Sequence, residues 1–300
     1  MELPANTCSQ RPPTELGRRL GRARPWVQAA FLGVWLAPLN RWVGGIPSCV
    51  FHCYSCPLAS FACPVGVAAN YAALFPAVFE IPYLLLGVLL LAGITVGSLV
   101  CGWACPLGFF QDCLGRLTSW KLNLPAWTGH LRYVVLVGLV LALPMILGAK
   151  GIPYDEQTVS ICRLCPAGAL EAGLPYSAQG LMSGDGWLMS GLKTAILIGF
   201  IATAIVVDRP WCRIFCPLGG WLALFNRWSL FHLRFKASAC SECNLCRTRC
   251  RFGVKVDEQV NVPGCVRCLE CTTCGAIQPA FALPHRLPVA QPPPPPLVPG

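Results

Sequence analysis

Cys240-Ser-Glu-Cys243-Asn-Leu-Cys246-Arg-Thr-Arg-Cys250 is followed, after residues 251–264, by Cys265-Val-Arg-Cys268-Leu-Glu-Cys271-Thr-Thr-Cys274. Eight thiolates in two short runs are soft donors that suit iron and sulfide. Arg251 and Gly275 stand where a proline often follows the fourth cysteine of such a run, and the second run closes with two intervening residues rather than three. Both departures bear on the type and potential of a bound cluster. A pair of four-cysteine zinc sites and a disulfide knot are the competing readings of the same thiols.

Around this stretch the composition is that of a membrane protein. Of 300 residues, 55% are hydrophobic and 12% charged, and mean hydropathy is +0.56. Twenty cysteines would suit a secreted disulfide scaffold in a shorter chain. Iron–sulfur assembly needs a reducing compartment, which places the Cys240–Cys274 end in the cytoplasm. The net charge of +10 is distributed around apolar segments, as a topology signal is, so nucleic acid is not an expected partner.

Upstream, four apolar segments predict membrane helices: Trp26 to about Ile46, Ala77 to Val100, Leu131 to Gly148 and Trp187 to Val207. A cleaved signal peptide is the alternative for the first. Cysteine–proline motifs punctuate them: Cys53-Tyr-Ser-Cys56-Pro57, Cys101-Gly-Trp-Ala-Cys105-Pro106, Cys162-Arg-Leu-Cys165-Pro166 and Cys212-Arg-Ile-Phe-Cys216-Pro217, with Cys49 and Cys63-Pro64-Val65-Gly66 beside the first. The first and third motifs lie 109 residues apart, and the second and fourth 111 apart, an offset that Arg116 and Arg227 share. This is an internal repeat. Each unit holds two spans, so both copies point the same way across the bilayer. Arginines crowd residues 11–24, whereas residues 47–76 carry neither Lys nor Arg, which predicts cytoplasmic N and C termini. The stretch Trp221 to Phe235 reads as an interfacial amphipathic helix.

Parallel repeats put equivalent positions at equal depth. Cys101, Cys105, Cys212 and Cys216 are therefore expected to meet at the cytoplasmic face, and Cys53, Cys56, Cys162 and Cys165 at the outer face. Each set supplies four thiolates, enough for one cluster. The proline after each motif favours a turn that holds the sulfurs toward the axis. Structural thiols compete as a reading of the inner set, and disulfides including Cys49 and Cys63 as a reading of the outer one. Cys8 and Cys113 have no repeat partners and read as plain thiols. His52 reads as a loop histidine or ligand, and Glu80 as an interfacial carboxylate or a quinol-proton acceptor. Arg247, Arg249, Arg251, Lys255 and Arg267 surround the C-terminal runs, to offset cluster charge or to steer an acidic donor. No histidine lies within a span, which argues against buried bis-histidine haem, and no nucleotide-binding glycine motif is present.

Taken together, these motifs resemble the NapH/NosR-type membrane polyferredoxins over about residues 26–277, and residues 240–274 resemble a two-cluster bacterial ferredoxin. In such modules the fourth cysteine of each run ligates the other cluster. The resemblance thus implies cluster A on Cys240, Cys243, Cys246 and Cys274, and cluster B on Cys265, Cys268, Cys271 and Cys250, both 4Fe–4S. The expected fold is an all-α membrane protein of four transmembrane helices, arranged as two parallel two-helix repeats, plus a small C-terminal ferredoxin-like α+β module. The expected boundaries are an N-terminal tail at 1–25, a membrane domain at 26–236 (repeats 26–125 and 126–236), the module at 237–280 and a Pro-rich tail at 281–300.

The resemblance implies electron transfer between a quinol pool or outer-face redox partners and the cytoplasmic clusters, in a multi-pass protein of a bacterial or archaeal cytoplasmic membrane. Membrane lipid, quinol and redox proteins are its expected partners, further iron–sulfur clusters are expected at the CxxxCP and CxxCP motifs, and no separate catalytic residue is named. The chain lacks room for the periplasmic flavin domain of the nitrous-oxide-linked members, so a covalent flavin is not implied. The extra outer cysteines leave a rival reading open: a metal-handling or cofactor-assembly membrane factor that uses those cysteines.

Overall fold

A computed structural model of the chain describes residues 14–36, 63–79, 81–118, 120–122, 124, 126–183, 189–240, 245–258 and 260–281. The described residues are mostly helical, with one two-stranded sheet. Helix α1 spans Glu15–Leu36, so it starts well before the expected span at Trp26. The reason is packing: Arg24 and Gln28, one turn apart, are buried and both donate to Gly102 O. Its start is tied to the C-terminal module, with Thr14 N–H donating to Thr273 O at 3.1 Å.

Helix α3 (Tyr83–Val96) occupies most of the span expected from Ala77 to Val100, and a further helix, α2 (Pro64–Val78), precedes it. Phe79 adopts a left-handed φ of 54° and Pro82 has no N–H to continue a helical ladder, so the chain turns between them. Helix α3 stops at Gly97, whose φ of 54° only glycine adopts freely. After α4 (Pro106–Leu114) comes α5 (Trp127–Ala149), which covers the expected third span. Its middle, Val135–Ala142, is wound as a π-helix: Leu143 N–H reaches back to Gly138 O beside Pro144, which has no donor of its own. Helix α6 (residues 166–183) and α7 (Gly191–Val206) follow, the latter close to the expected fourth span.

Among the described residues, α5 is long and apolar enough to cross a membrane, while α2, α3 and α7 are shorter apolar helices. Only 17% of the most apolar window of α5 is buried, and Leu84, Val134 and Leu192 are 83%, 67% and 64% exposed. An apolar exterior on this scale marks a membrane or partner surface. Helices α2 and α5 meet through small residues: Ala69 and Ala73 are buried, and a Cβ at Gly148 would lie 2.0 Å from Ala73 O.

The stretch expected to be an amphipathic helix, Trp221 to Phe235, is not one. It divides into the end of α8 (Pro217–Leu224), a 3-10 turn at Phe225–Arg227 and strand β1 (Phe231–Phe235). Strand β1 pairs antiparallel with β2 (Ile277–Phe281), with Phe231 opposite Phe281 and Phe235 opposite Ile277. The Phe231 and Phe281 rings meet edge to face at 5.4 Å. This sheet closes the cysteine-rich loop that runs between its strands, and its first strand comes from ahead of residue 237.

Candidate metal centre

Cys250, Cys265, Cys268 and Cys271 line one small cavity of about 20 Å³, walled by Leu233, Phe252, Val256, Val266 and Leu269. Local backbone geometry makes this possible. Arg267 and Leu269 both take left-handed φ values, 52° and 64°, so the short loop curls around the cavity. Burial pushes the Cys265 thiol up and the Cys268 thiol up to about 12. A bound metal would deprotonate both, and the donor set fits an iron–sulfur cluster: four thiols around a cavity with apolar walls. Among the described residues, no three Cys, His, Asp or Glu side chains converge as ligands of a single metal ion. Of the cysteines implied for cluster A, Cys246 and Cys274 hydrogen-bond one another and Cys240 is half-buried. Cys243 lies outside the described residues.

Cys101, Cys105 and Cys212 are buried and Cys216 is half-buried beside them. The Cys105 and Cys212 thiols hydrogen-bond each other, and Gln111 Nε2 donates to Cys212 Sγ at 3.2 Å. Both copies of the repeat use the same local bonding. Cys105 N–H reaches Val100 O at 3.0 Å and Cys216 N–H reaches Trp211 O at 2.8 Å, each five residues back. In both, the thiol accepts from the glycine three residues on, Gly108 or Gly219, at 3.4 Å. The proline then begins α4 or α8, where its missing N–H costs nothing.

Of the set expected at the outer face, the described residues include Cys162 and Cys165. Cys53 and Cys56, with Cys8, Cys49, His52 and Glu80, lie outside the described residues. Cys165 packs against the core that contains Cys105, Leu107 and Ala167, and it neighbours Cys216. The structure therefore places it with the inner four. Cys162 instead takes a hydrogen bond from the Tyr154 hydroxyl at 3.2 Å. Sequence reasoning missed the signal for this, a Cys-Pro-x-Gly tetrad at Cys63, Cys105, Cys165 and Cys216. Each of these cysteines is non-helical with ψ between 110° and 127°, each proline opens a helix, and each glycine is buried. The tetrad pairs Cys63, rather than Cys56, with Cys165. Cys113 is exposed.

The two thiol groups pack into one unit. Cys101 and Cys216 share a core with Cys250, Cys268, Leu218 and Val266. A Cβ on Gly102 would lie 2.6 Å from Val266 O, so the backbones touch where only glycine fits. Ser98 Oγ and Asn226 Nδ2 donate to Cys265 O at 2.7 and 2.8 Å. A buried ion-pair chain runs alongside. Arg209 donates twice to Asp112, at 2.8 and 2.5 Å, and to Cys101 O at 2.6 Å. Asp112 also takes Arg24, which reaches Glu270, and Glu270 takes Arg251. Burial alone would raise the Asp112 carboxyl, but the Arg209 and Arg24 guanidiniums hold it below the usual carboxylate range. Sequence reasoning did not single out Asp112, Arg209, Arg24 or Gln111, because nothing in their spacing shows that they meet.

The sequence profile of a 4Fe–4S binding domain matches the chain twice, over residues 77–125 and 190–236, one match on each half of the repeat. The chain is similar to an uncharacterized protein of Methanocaldococcus jannaschii, 29% identical over 61% of this chain and 71% of that protein. It is similar to protein NirI of Paracoccus denitrificans, 28% identical over 57% of this chain and 24% of NirI. It is also similar to regulatory protein NosR of Pseudomonas aeruginosa, 26% identical over 57% of this chain and 22% of NosR. The chain thus spans under a quarter of the last two relatives. No solved structure matches it.

Proposed function

We propose that this chain, a NapH/NosR-type iron–sulfur protein, relays single electrons across a membrane between a quinol or outer-face redox partner and a cytoplasmic two-cluster module. Cluster A is held by Cys240, Cys243, Cys246 and Cys274, and cluster B by Cys250, Cys265, Cys268 and Cys271. A third cluster is held by Cys101, Cys105, Cys212 and Cys216. When bound, each cluster takes up and releases one electron; the chain's own residues hold the sulfurs, exclude water and set the spacing. The observation that carries the reading is the shared core in which Cys101 and Cys216 pack with Cys250 and Cys268. The apolar exteriors of α3, α5 and α7 support a place in lipid, and Thr14 on Thr273 supports an N terminus on the same face as the module.

The test is iron and acid-labile sulfide analysis of the anaerobically purified chain, with an EPR redox titration. Three cluster signals are expected. The Cys101→Ser, Cys212→Ser double variant should keep two. A wild-type count of two would remove the third cluster from the reading, and zinc in place of iron would end it.

A further inference from the structure

Arg267 carries a buried charge. It stands between two cysteines of the second run, lines the cluster B cavity and is 0% exposed. Its guanidinium donates to Val96 O at 3.0 Å, Ser229 Oγ at 2.6 Å, Asn226 O at 2.5 Å and Asn261 Oδ1 at 3.3 Å, and lies 5.6 Å from the Phe231 ring centre. All these partners are neutral, and its Nε is buried with no partner. Of the other buried arginines near the clusters, Arg24 and Arg209 share Asp112 and Arg24 also meets Glu270, while Arg132 and Arg213 donate to the carbonyls of Pro263 and Leu124 and do not line the cavity as Arg267 does. Among the described residues, no carboxylate pairs with Arg267. A buried guanidinium left in that state is costly. The carbonyl of Val96, the last residue of α3, offsets it in part through the helix dipole.

We infer that Arg267 is the counter-charge of cluster B and makes that cluster easier to reduce than cluster A; this rests on the cluster reading above. Four thiolates around a 4Fe–4S core carry net negative charge, which grows by one on reduction. A fixed positive charge beside the core therefore stabilises the reduced form more, and burial keeps the interaction from being screened. Next to Cys246, one of the cysteines assigned to cluster A, Arg247 is paired with both Asp257 and Glu258. With both clusters bound, an electron passed from A to B would oxidise the one and reduce the other by one, with no proton moved, and Arg267 would favour it on the side where Cys250 and Cys268 share a core with Cys101 and Cys216.

The full chain, purified anaerobically in detergent, is titrated by EPR as wild type, Arg267→Gln and Arg267→Lys. The expected result is that R267Q keeps wild-type iron and sulfide while one C-terminal cluster becomes harder to reduce. Its reduced-to-oxidised ratio should fall about tenfold, or ~59 mV for one electron, with the other cluster unmoved and R267K near wild type. Unchanged potentials in a fully loaded R267Q, or equal shifts of both clusters, would overturn the inference. If R267Q fails to load, R267K decides: loading at the wild-type potential supports the charge role, and loss there too assigns Arg267 to packing alone. A wild-type chain without clusters overturns the underlying reading instead.

Discussion

Replacing Asp112 with alanine should cost roughly 3–5 kcal/mol of stability, because it leaves two buried arginines without their shared partner. Arg24 and Arg209 side chains are 7% and 1% exposed, and Asp112 contacts both. Neither guanidinium can lose its proton to escape the penalty. The loss should fall at the joint between α1, the Cys101–Cys105 turn and Glu270, so the module should loosen before the apolar helices do. Denaturation in detergent measures it, with Arg19→Ala as control. Arg19 pairs with Glu15 in solvent, and its removal should change stability by under about 1 kcal/mol. The pH dependence has a definite sign. Because the folded carboxyl sits below its ordinary value, its contribution is present above the unfolded-state pKa and is lost only as pH falls through the lower folded value. Asp112→Asn should therefore flatten the acid limb of the stability curve. A D112A variant as stable as wild type would show that the ion-pair chain is not formed.

Replacing Gly102 with valine should separate the two thiol groups while leaving both able to load. A Cβ there would meet Val266 O at 2.6 Å and Arg267 O at 3.1 Å, both backbone atoms of the cluster B loop. Neither can swing aside as a side chain would, so the Cys101 turn and the loop must part. The strain itself should cost about 1–3 kcal/mol. The larger effect should be functional: passage of an electron between cluster B and the Cys101–Cys216 group should slow on the order of tenfold or more, as small misplacements do at reacting centres. Rapid-mixing spectroscopy on wild-type and G102V chains of equal iron content reads this rate. An unchanged rate would show that electrons do not cross at this contact.

Much of this protein was legible in its residues because the information is local. Thiol spacing in a short loop limits which sulfurs can reach one cluster, so the runs from Cys240 to Cys274 could be read as candidate ligands without a fold. The repeat was legible too, since copied motifs keep their order and offset, and one domain profile matches both halves. Apolar run length located α5 and α7.

What depended on distant partners was not legible. Phe231–Phe235 carries arginine and histidine in a pattern that suits an amphipathic helix, and it becomes a strand because Ile277–Phe281 lies beside it. Cys165 was assigned to the outer set by its depth in a four-span scheme. Cys165 instead packs against the core that contains Cys105, a contact that its distance along the chain does not show. Asp112, Arg209 and Arg267 look like ordinary flanking charges until the fold buries them. The sequence alone determined which thiols stand in short runs as candidate ligands, because ligand spacing is short-range. Only the tertiary structure decided which thiols share a core and which charges lie beside them, because burial and charge pairing join residues that no periodicity connects.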